Sequence, residues 1–211
     1  VRATITPANE EPVSVTSGFE VKKRTVRAKG VTFEVPYGGA FTITSQDYDI
    51  IEGTDTSVDA DTLKSWITGS PACDYGNGDV GTYPVTIGTL AVTGDHKDSV
   101  DFDYTEGSVT ITPITAEISW NTSSFVYNGQ QQKPAAVVTN LVSSDDQCTV
   151  DVAVDGDAIN VGSYTATATG LSNTNYILGT NTTRPYTITA MDVRAYSVEV
   201  ECGSKVYTGQ G

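Results

Sequence analysis

His96 is the chain's one histidine, and it stands among Asp95, Lys97, Asp98 and Ser99. These are residue types from which a proton relay or a Ser-His-Asp nucleophile is built. Such a triad is a spatial constellation drawn from separate parts of a chain, so adjacency within one loop does not signal it. The segment reads instead as a polar loop with a solvent-exposed histidine. No Gly-x-Ser-x-Gly elbow, His-Glu-x-x-His helix or phosphate-cradling glycine loop occurs. Carboxylates are plentiful, but a glycosidase pair is defined by its separation across a cleft, which small β repeats seldom supply. The sequence therefore predicts no catalytic residue, no enzyme activity and no cofactor.

Metal chemistry has an equally thin ligand set. Cys73, Cys148 and Cys202 fall far apart, with no Cys-x-x-Cys pair and one histidine, which gives zinc nothing to bind. The clusters Asp55/Asp59/Asp61, Asp95/Asp98/Asp101/Asp103 and Asp151/Asp155/Asp157 do not spell an Asp-x-Asp-x-Asp-Gly calcium loop. They read as a solvated acidic surface. A formal net charge of -14 argues against nucleic acid, whose binding rests on neutralisation by Lys and Arg. It argues equally against direct attachment to anionic lipid. No run of about 18 apolar residues is present.

Aromatic residues are the remaining chemical resource, since Trp66, Trp120 and the tyrosines could stack on sugar rings. Tyr83 and Tyr164 occupy equivalent places in a repeated pattern, which marks them as architecture. Trp66 and Tyr75 fall in a segment that has no counterpart in the second copy, so these two are the candidates for ligand contact. Asn121-Thr122-Ser123 and Asn181-Thr182-Thr183 match glycosylation sequons and read as polar loops.

The elements that would position these side chains are set by a repeat. Val80-Gly81-Thr82-Tyr83-Pro84-Val85-Thr86-Ile87-Gly88-Thr89-Leu90 recurs as Val161-Gly162-Ser163-Tyr164-Thr165-Ala166-Thr167-Ala168-Thr169-Gly170-Leu171. Each copy is a Val-Gly-(Ser/Thr)-Tyr turn leading into an alternating strand, with Tyr164, Ala166 and Ala168 on one face. Openings of the form Tyr-(x)-Gly at Tyr37, Tyr127 and Tyr207 lie 90 and 80 residues apart. The spacing predicts closing strands of a preceding unit over 1–23, complete β units over 24–114 and 115–190, and the opening of a truncated unit over 191–211. A unit of roughly 80 to 90 residues can bury its own core with a margin of about 5 to 10 kcal/mol. One short helix is predicted over 59–67, with Leu63, Trp66 and Ile67 on one face and acidic residues in its first turn. At two turns it cannot stand alone, and packing of Trp66 onto the sheet is expected to hold it.

Val35-Pro36-Tyr37-Gly38-Gly39, the two Val-Gly-(Ser/Thr)-Tyr cassettes, Gly107-Ser108-Val109-Thr110-Ile111-Thr112 and Phe125-Val126-Tyr127-Asn128-Gly129-Gln130 resemble the MBG (mostly beta, glycine-rich) and YDG-type repeats of bacterial surface proteins and adhesins. The resemblance covers residues 24 to 211 and is carried by turn and strand patterns. It implies an extracellular protein on a bacterial cell surface, in which such units are strung as a stalk. Some β-sandwich stalks carry a spontaneous Lys-Asn or Lys-Asp crosslink, which makes Lys133 a residue to inspect.

The predicted fold is all-β: small antiparallel β units in tandem, Ig-like sandwiches or β-grasp-like sheets, with one short helix, in an elongated arrangement. The expected role is a non-catalytic stalk module, with adjacent repeat units of the same chain as partners and a host or wall glycan or protein as ligand. A carbohydrate- or glycoprotein-binding module, or an accessory domain of a secreted polysaccharide-degrading enzyme, are the rival readings.

Overall fold

The computed structural model describes residues 2–5, 13–16, 18, 22–53, 58–192, 194 and 203. Most of the predicted third unit, including Tyr207 and Cys202, lies outside these described residues, as does part of the predicted closing strands over 1–23. The chain divides into two compact units, Val1–Pro113 and Ile114–Gly211. The first carries β1 (Arg2–Ile5), β2 (Val13–Thr16), β3 (Arg24–Gly30), β4 (Thr32–Pro36), β5 (Tyr48–Gly53), α1 (Ala60–Ser65), β6 (Ile67–Thr68), β7 (Ala72–Cys73), β8 (Gly81–Thr86), β9 (Ala91–Val92), β10 (Val100–Thr105) and β11 (Gly107–Thr112). The second carries β12 (Ile114–Ala116), β13 (Ile118–Trp120), β14 (Ser124–Val126), β15 (Ala136–Val138), β16 (Val150–Val154), β17 (Gly162–Leu171), β18 (Tyr176–Leu178) and β19 (Thr183–Thr189). The fold is all-β with one short α-helix.

Both units follow one plan. In the first, the sheets run β10-β3-β5 and β4-β11-β8-β7; in the second, β14-β19-β17-β16 repeats the latter order, while β12 pairs with β18 and β13 with β15 as in the former. The sheets are mixed, which corrects the expectation of purely antiparallel units. In each unit the opening strands pair in parallel with the closing ones: β3 with β10 and β4 with β11, then β12 with β18 and β14 with β19. Alternation along a strand is the same for either direction of its neighbour, so composition did not reveal this. The predicted equivalence of Tyr37 and Tyr127 is visible in the backbone: Tyr37 N–H donates to the Thr112 carbonyl and Tyr127 N–H to the Thr189 carbonyl, both at 2.8 Å.

Glycines explain how one chain segment serves two sheets. Only Val31 separates β3 from β4, and only Glu106 separates β10 from β11, so two bent strands pass side by side from the first sheet into the second. At the bend a Cβ on Gly107 would lie 2.0 Å from the Val31 carbonyl oxygen and 2.3 Å from that of Gly30. Backbone approaches backbone here at a distance no side chain permits.

The repeated cassette is a tyrosine corner, a feature of Ig-like sandwiches. Tyr83 Oη donates to the Asp79 carbonyl at 2.7 Å, and Tyr164 Oη to that of Asn160 at 2.8 Å. The ring folds back over its own turn, and the cassette glycine leaves room for it: a Cβ on Gly81 or Gly162 would sit 3.3 or 3.4 Å from ring or hydroxyl atoms. Tyr164→Phe keeps the ring and removes one hydrogen bond. It is expected to lower the stability of the second unit by about 0.5–1.5 kcal/mol, measured as a shift of the urea midpoint.

Three buried clusters fill the sheets. Val26, Ala28, Tyr48, Leu63, Ile67, Leu90 and Val100 lie between β10-β3-β5 and α1. Val35, Val85, Val109 and Ile111 line the second sheet. Ala158, Ala166, Tyr186 and Ile188 form the core on the corresponding sheet of the second unit. Helix α1 begins as predicted, with the Asp59 carboxylate accepting from Thr62 N–H at 2.8 Å. It ends two residues early, since Ile67 already belongs to β6. Its buried anchor is Leu63, 3% exposed, whereas the expected anchor Trp66 caps the helix end half-buried.

Hydrogen bonds from Thr62 N–H and its hydroxyl hold the Asp59 carboxyl below the usual carboxylate range. The capping contribution is complete above the unfolded-state value and is lost as pH falls through the lower folded one. The Thr62 amide resonance is therefore expected to titrate with a midpoint below that of a free aspartate, and Asp59→Asn should abolish the titration.

Candidate functional site

The expected ligand-contact residues Trp66 and Tyr75 belong to different clusters. Tyr75, 39% exposed, leans on Phe41 with ring centroids 4.5 Å apart, and Phe41 meets Phe33 edge-on at 5.8 Å. Phe33 and Phe41 pack against the core of β4-β11-β8-β7, and Tyr75 rests on that core's margin through Phe41. Trp66 lies against the other core of the same unit, in a cleft lined by Lys22, Arg24, Trp66, His96, Ser99 and Val100.

The local chain builds this cleft from three directions. Helix α1 delivers Trp66 at its C-terminal end. A single 3-10 turn, Gly94–His96, delivers His96, and the Thr93 N–H just before it donates to the Trp66 carbonyl at 3.0 Å. Strand β3 opens with Arg24, whose N–H donates to the Ser99 carbonyl at 2.9 Å; Ser99 N–H and hydroxyl both donate to the His96 carbonyl, at 3.1 and 3.2 Å.

His96 stacks on Trp66 with centroids 4.0 Å apart and planes 15° from parallel, and the Arg24 guanidinium lies 5.6 Å from the indole centroid. Cations over an indole are favoured by its quadrupole. The expected solvent-exposed loop histidine is thus half-buried and held against an aromatic face. That stacking takes up indole surface which a sugar ring would have used.

The cleft measures ≈ 330 Å³. Among the described residues no carboxylate lines it, although the chain holds 26 Asp and Glu against 12 Lys and Arg. Close by, Lys23 lies beside Asp101 and Arg27 beside Asp103, each at 3.5 Å. The ammonium of Lys64 donates to the Tyr48 carbonyl at 2.9 Å and lies 4.6 Å from that ring's centroid. Smaller recesses occur in the second unit, at Ser123, Tyr164, Pro185 and Tyr186 (≈ 290 Å³) and at Glu117, Gly179 and Asn181 (≈ 250 Å³). Neither gathers cationic groups or a nucleophile with a base.

Among the described residues no three His, Cys, Asp or Glu side chains converge as a metal site. Cys73 and Cys148 are free, half-buried thiols. Burial, and after it the Asp74 carboxylate, push the Cys73 thiol up. Thiolate is the reacting form, so Cys73 is expected to alkylate with iodoacetamide more slowly at neutral pH than a free peptide thiol, as peptide mapping would show. The Lys133 ammonium donates to the Val152 carbonyl at 2.7 Å, which is not the Asn or Asp side chain a crosslink requires. Asn121 Oδ1 accepts from Ala135 N–H at 2.9 Å, so this sequon asparagine braces a loop.

Sequence reading singled out Trp66 and His96 separately and missed their association with each other and with Arg24. The one signal for it was the basic run Lys22-Lys23-Arg24, which enters the first unit opposite the inserted helix. Compared with known proteins, the chain matches no protein-family model and no curated protein.

Proposed function

We propose that this chain is a non-catalytic structural module, a force-bearing repeat from the stalk of a bacterial cell-surface or secreted protein, with neighbouring repeat units of the same chain as its partners. The supporting observation is the parallel pairing of the opening and closing strands in each unit. Tension on a tethered module enters at the start of the opening strand and leaves at the end of the closing one. For adjacent parallel strands those two points pull in opposite directions along the strand axis. The ladder is then loaded in shear, so many hydrogen bonds must yield together instead of opening one after another. The MBG/YDG resemblance supplies the cell-surface context, and the doubled strand plan supplies the tandem use.

Forced unfolding is governed by the unfolding rate, and this geometry gives the two units different resistance. The first unit pairs Arg24–Lys29 with Val100–Thr105 and Thr32–Pro36 with Ser108–Thr112. The second pairs only Ile114–Ala116 with Tyr176–Leu178 and Ser124–Val126 with Thr187–Thr189. Pulling the whole chain by its ends in an atomic force microscope is expected to give two unfolding events, the second unit yielding at the lower force. Unfolding of both at the low force typical of sequential peeling would reject the load-bearing role.

A further inference from the structure

We propose that strand β16 is a latent docking edge for a second copy of this chain, and that Lys133 is the guard that keeps this edge closed. The proposal goes beyond the load-bearing role and does not rest on it.

The order of the sheet defines the edges. In β14-β19-β17-β16 the outer strands are β14 and β16, and an outer strand offers its outward N–H and carbonyl groups to any extended chain that reaches them. On β14 such groups are engaged locally. The Thr122 hydroxyl accepts from Ser124 N–H at 3.2 Å and donates to the Ser124 carbonyl at 3.0 Å, and the Gln132 side-chain amide donates to the Val126 carbonyl at 3.1 Å.

On β16 the ladder to β17 fixes which groups face outward. Asp155 N–H donates to the Thr165 carbonyl at 3.2 Å, and the register continues through Ala153–Thr167 and Val152–Ala168. Alternation therefore turns the main-chain groups of Ala153 toward β17 and those of Val152 away from it. Two features cover that side. Strand β15 meets the start of β16 through the single bridge Val137–Thr149, and the Lys133 ammonium donates to the Val152 carbonyl at 2.7 Å.

The guard is held from both sides. Pro134 is fully buried, Gln132 N–H donates to the Ala158 carbonyl at 3.0 Å, and the Gln132 carbonyl accepts from the Tyr186 hydroxyl at 2.8 Å. The first unit repeats the device on its outer strand β5. There the Lys64 ammonium donates to the carbonyls of Tyr48 and Gln46, at 2.9 and 3.2 Å. Lysine is a residue that natural sheets use to blunt an edge.

The strand's own sequence selects the occupant. If β16 pairs antiparallel with its copy about a two-fold axis at Val152, the two Val152 residues exchange both main-chain hydrogen bonds. The acceptor in that exchange is the carbonyl that Lys133 occupies. This register sets Asp151 opposite Ala153 of the second copy, whereas an axis at Ala153 would set Asp151 opposite Asp155, and like charges directly opposite destabilise a sheet.

Sedimentation equilibrium of the whole chain at fixed ionic strength tests this, with Lys133→Ala, Lys133→Met and Lys133→Arg. Alanine clears the edge, methionine keeps the stem without the ammonium, and arginine keeps a charged donor. The alanine and methionine variants are expected to self-associate ~10- to 100-fold more tightly than wild type, the factor for one charge-assisted hydrogen bond that pairing no longer has to break. Arginine should behave as wild type. Charge alone predicts the reverse, because removing a cation from a chain of net charge -14 raises the repulsion between copies. Two-dimensional nitrogen-proton NMR of the associating variants should show the β16 amides shifting with concentration while the rest of the folded spectrum is retained. Wild-type self-association in both neutral variants, equal tightening by arginine, or association that leaves the β16 amides unmoved would each overturn the proposal.

Discussion

Gly107→Ala is expected to unfold the first unit at temperatures where the second remains folded. The added methyl would meet the carbonyl oxygens of Val31 and Gly30 at 2.0 and 2.3 Å, and both are main-chain atoms of the strand that β11 must lie beside. Relief requires separating the two bent strands at the point where both change sheets. That loosens the β3–β10 and β4–β11 ladders together. Overpacking in a rigid site costs about 1–3 kcal/mol when side chains can yield; with backbone on both sides a loss of at least about 3 kcal/mol is expected. Gly30→Ala should be destabilising but milder, because its closest contact, the Tyr104 hydroxyl at 2.3 Å, can turn away at the cost of its bond to the Val85 carbonyl, and the main-chain nitrogen of Gly107 is met only at 2.9 Å. Thermal unfolding followed by NMR, with separate resonances for each unit, distinguishes these outcomes. A wild-type midpoint for Gly107→Ala would refute the account of the bend.

Tyr186→Ala should have the corresponding effect on the second unit. Tyr186 is 2% exposed, meets Phe125 edge-on at 5.8 Å and Tyr164 at 5.7 Å, and donates its hydroxyl to the Gln132 carbonyl at 2.8 Å. It is the largest member of its buried cluster and also neighbours the ring of the tyrosine corner. Truncating a buried aromatic costs about 3–5 kcal/mol, a large part of the 5–15 kcal/mol that holds an ordinary domain together. Tyr186→Phe retains the ring and forfeits one hydrogen bond, a loss of about 1 kcal/mol. Chemical denaturation should therefore place alanine far below phenylalanine and phenylalanine slightly below tyrosine. Near-equal effects of the two substitutions would mean that the hydroxyl, not the ring, holds the core.

The same buried phenols set an alkaline limit. Burial pushes Tyr48, Tyr104 and Tyr186 above the ordinary value of 10.0, with smaller contributions from Glu106 at Tyr104 and from Tyr164 and Asp155 at Tyr186. Their contribution is fully present below the unfolded-state value and is lost as pH rises through the higher folded values. Stability of both units should thus decline above the ordinary phenol range, and Tyr186→Phe should lessen that decline in the second unit.

By itself the sequence determined the all-β class, the doubling of the cassette, the architectural role of Tyr83 and Tyr164, and the start of the helix at Asp59. These follow from local rules: period-two alternation sets which side of a strand faces a core, and a carboxylate beside a free amide sets a helix start. Only the tertiary structure decided what lies across from what. Arg24 pairs with Val100 and Thr32 with Ser108, and the period of a strand carries no information about a neighbour so far along the chain. Leu63 displaced Trp66 as the helix anchor because the helix stopped at Ser65 and Ile67 joined a strand, which turned the indole toward the end of the core. There it meets His96 and Arg24. Their cleft exists only where three segments converge, and convergence is a property of the packed chain that no single stretch of it encodes.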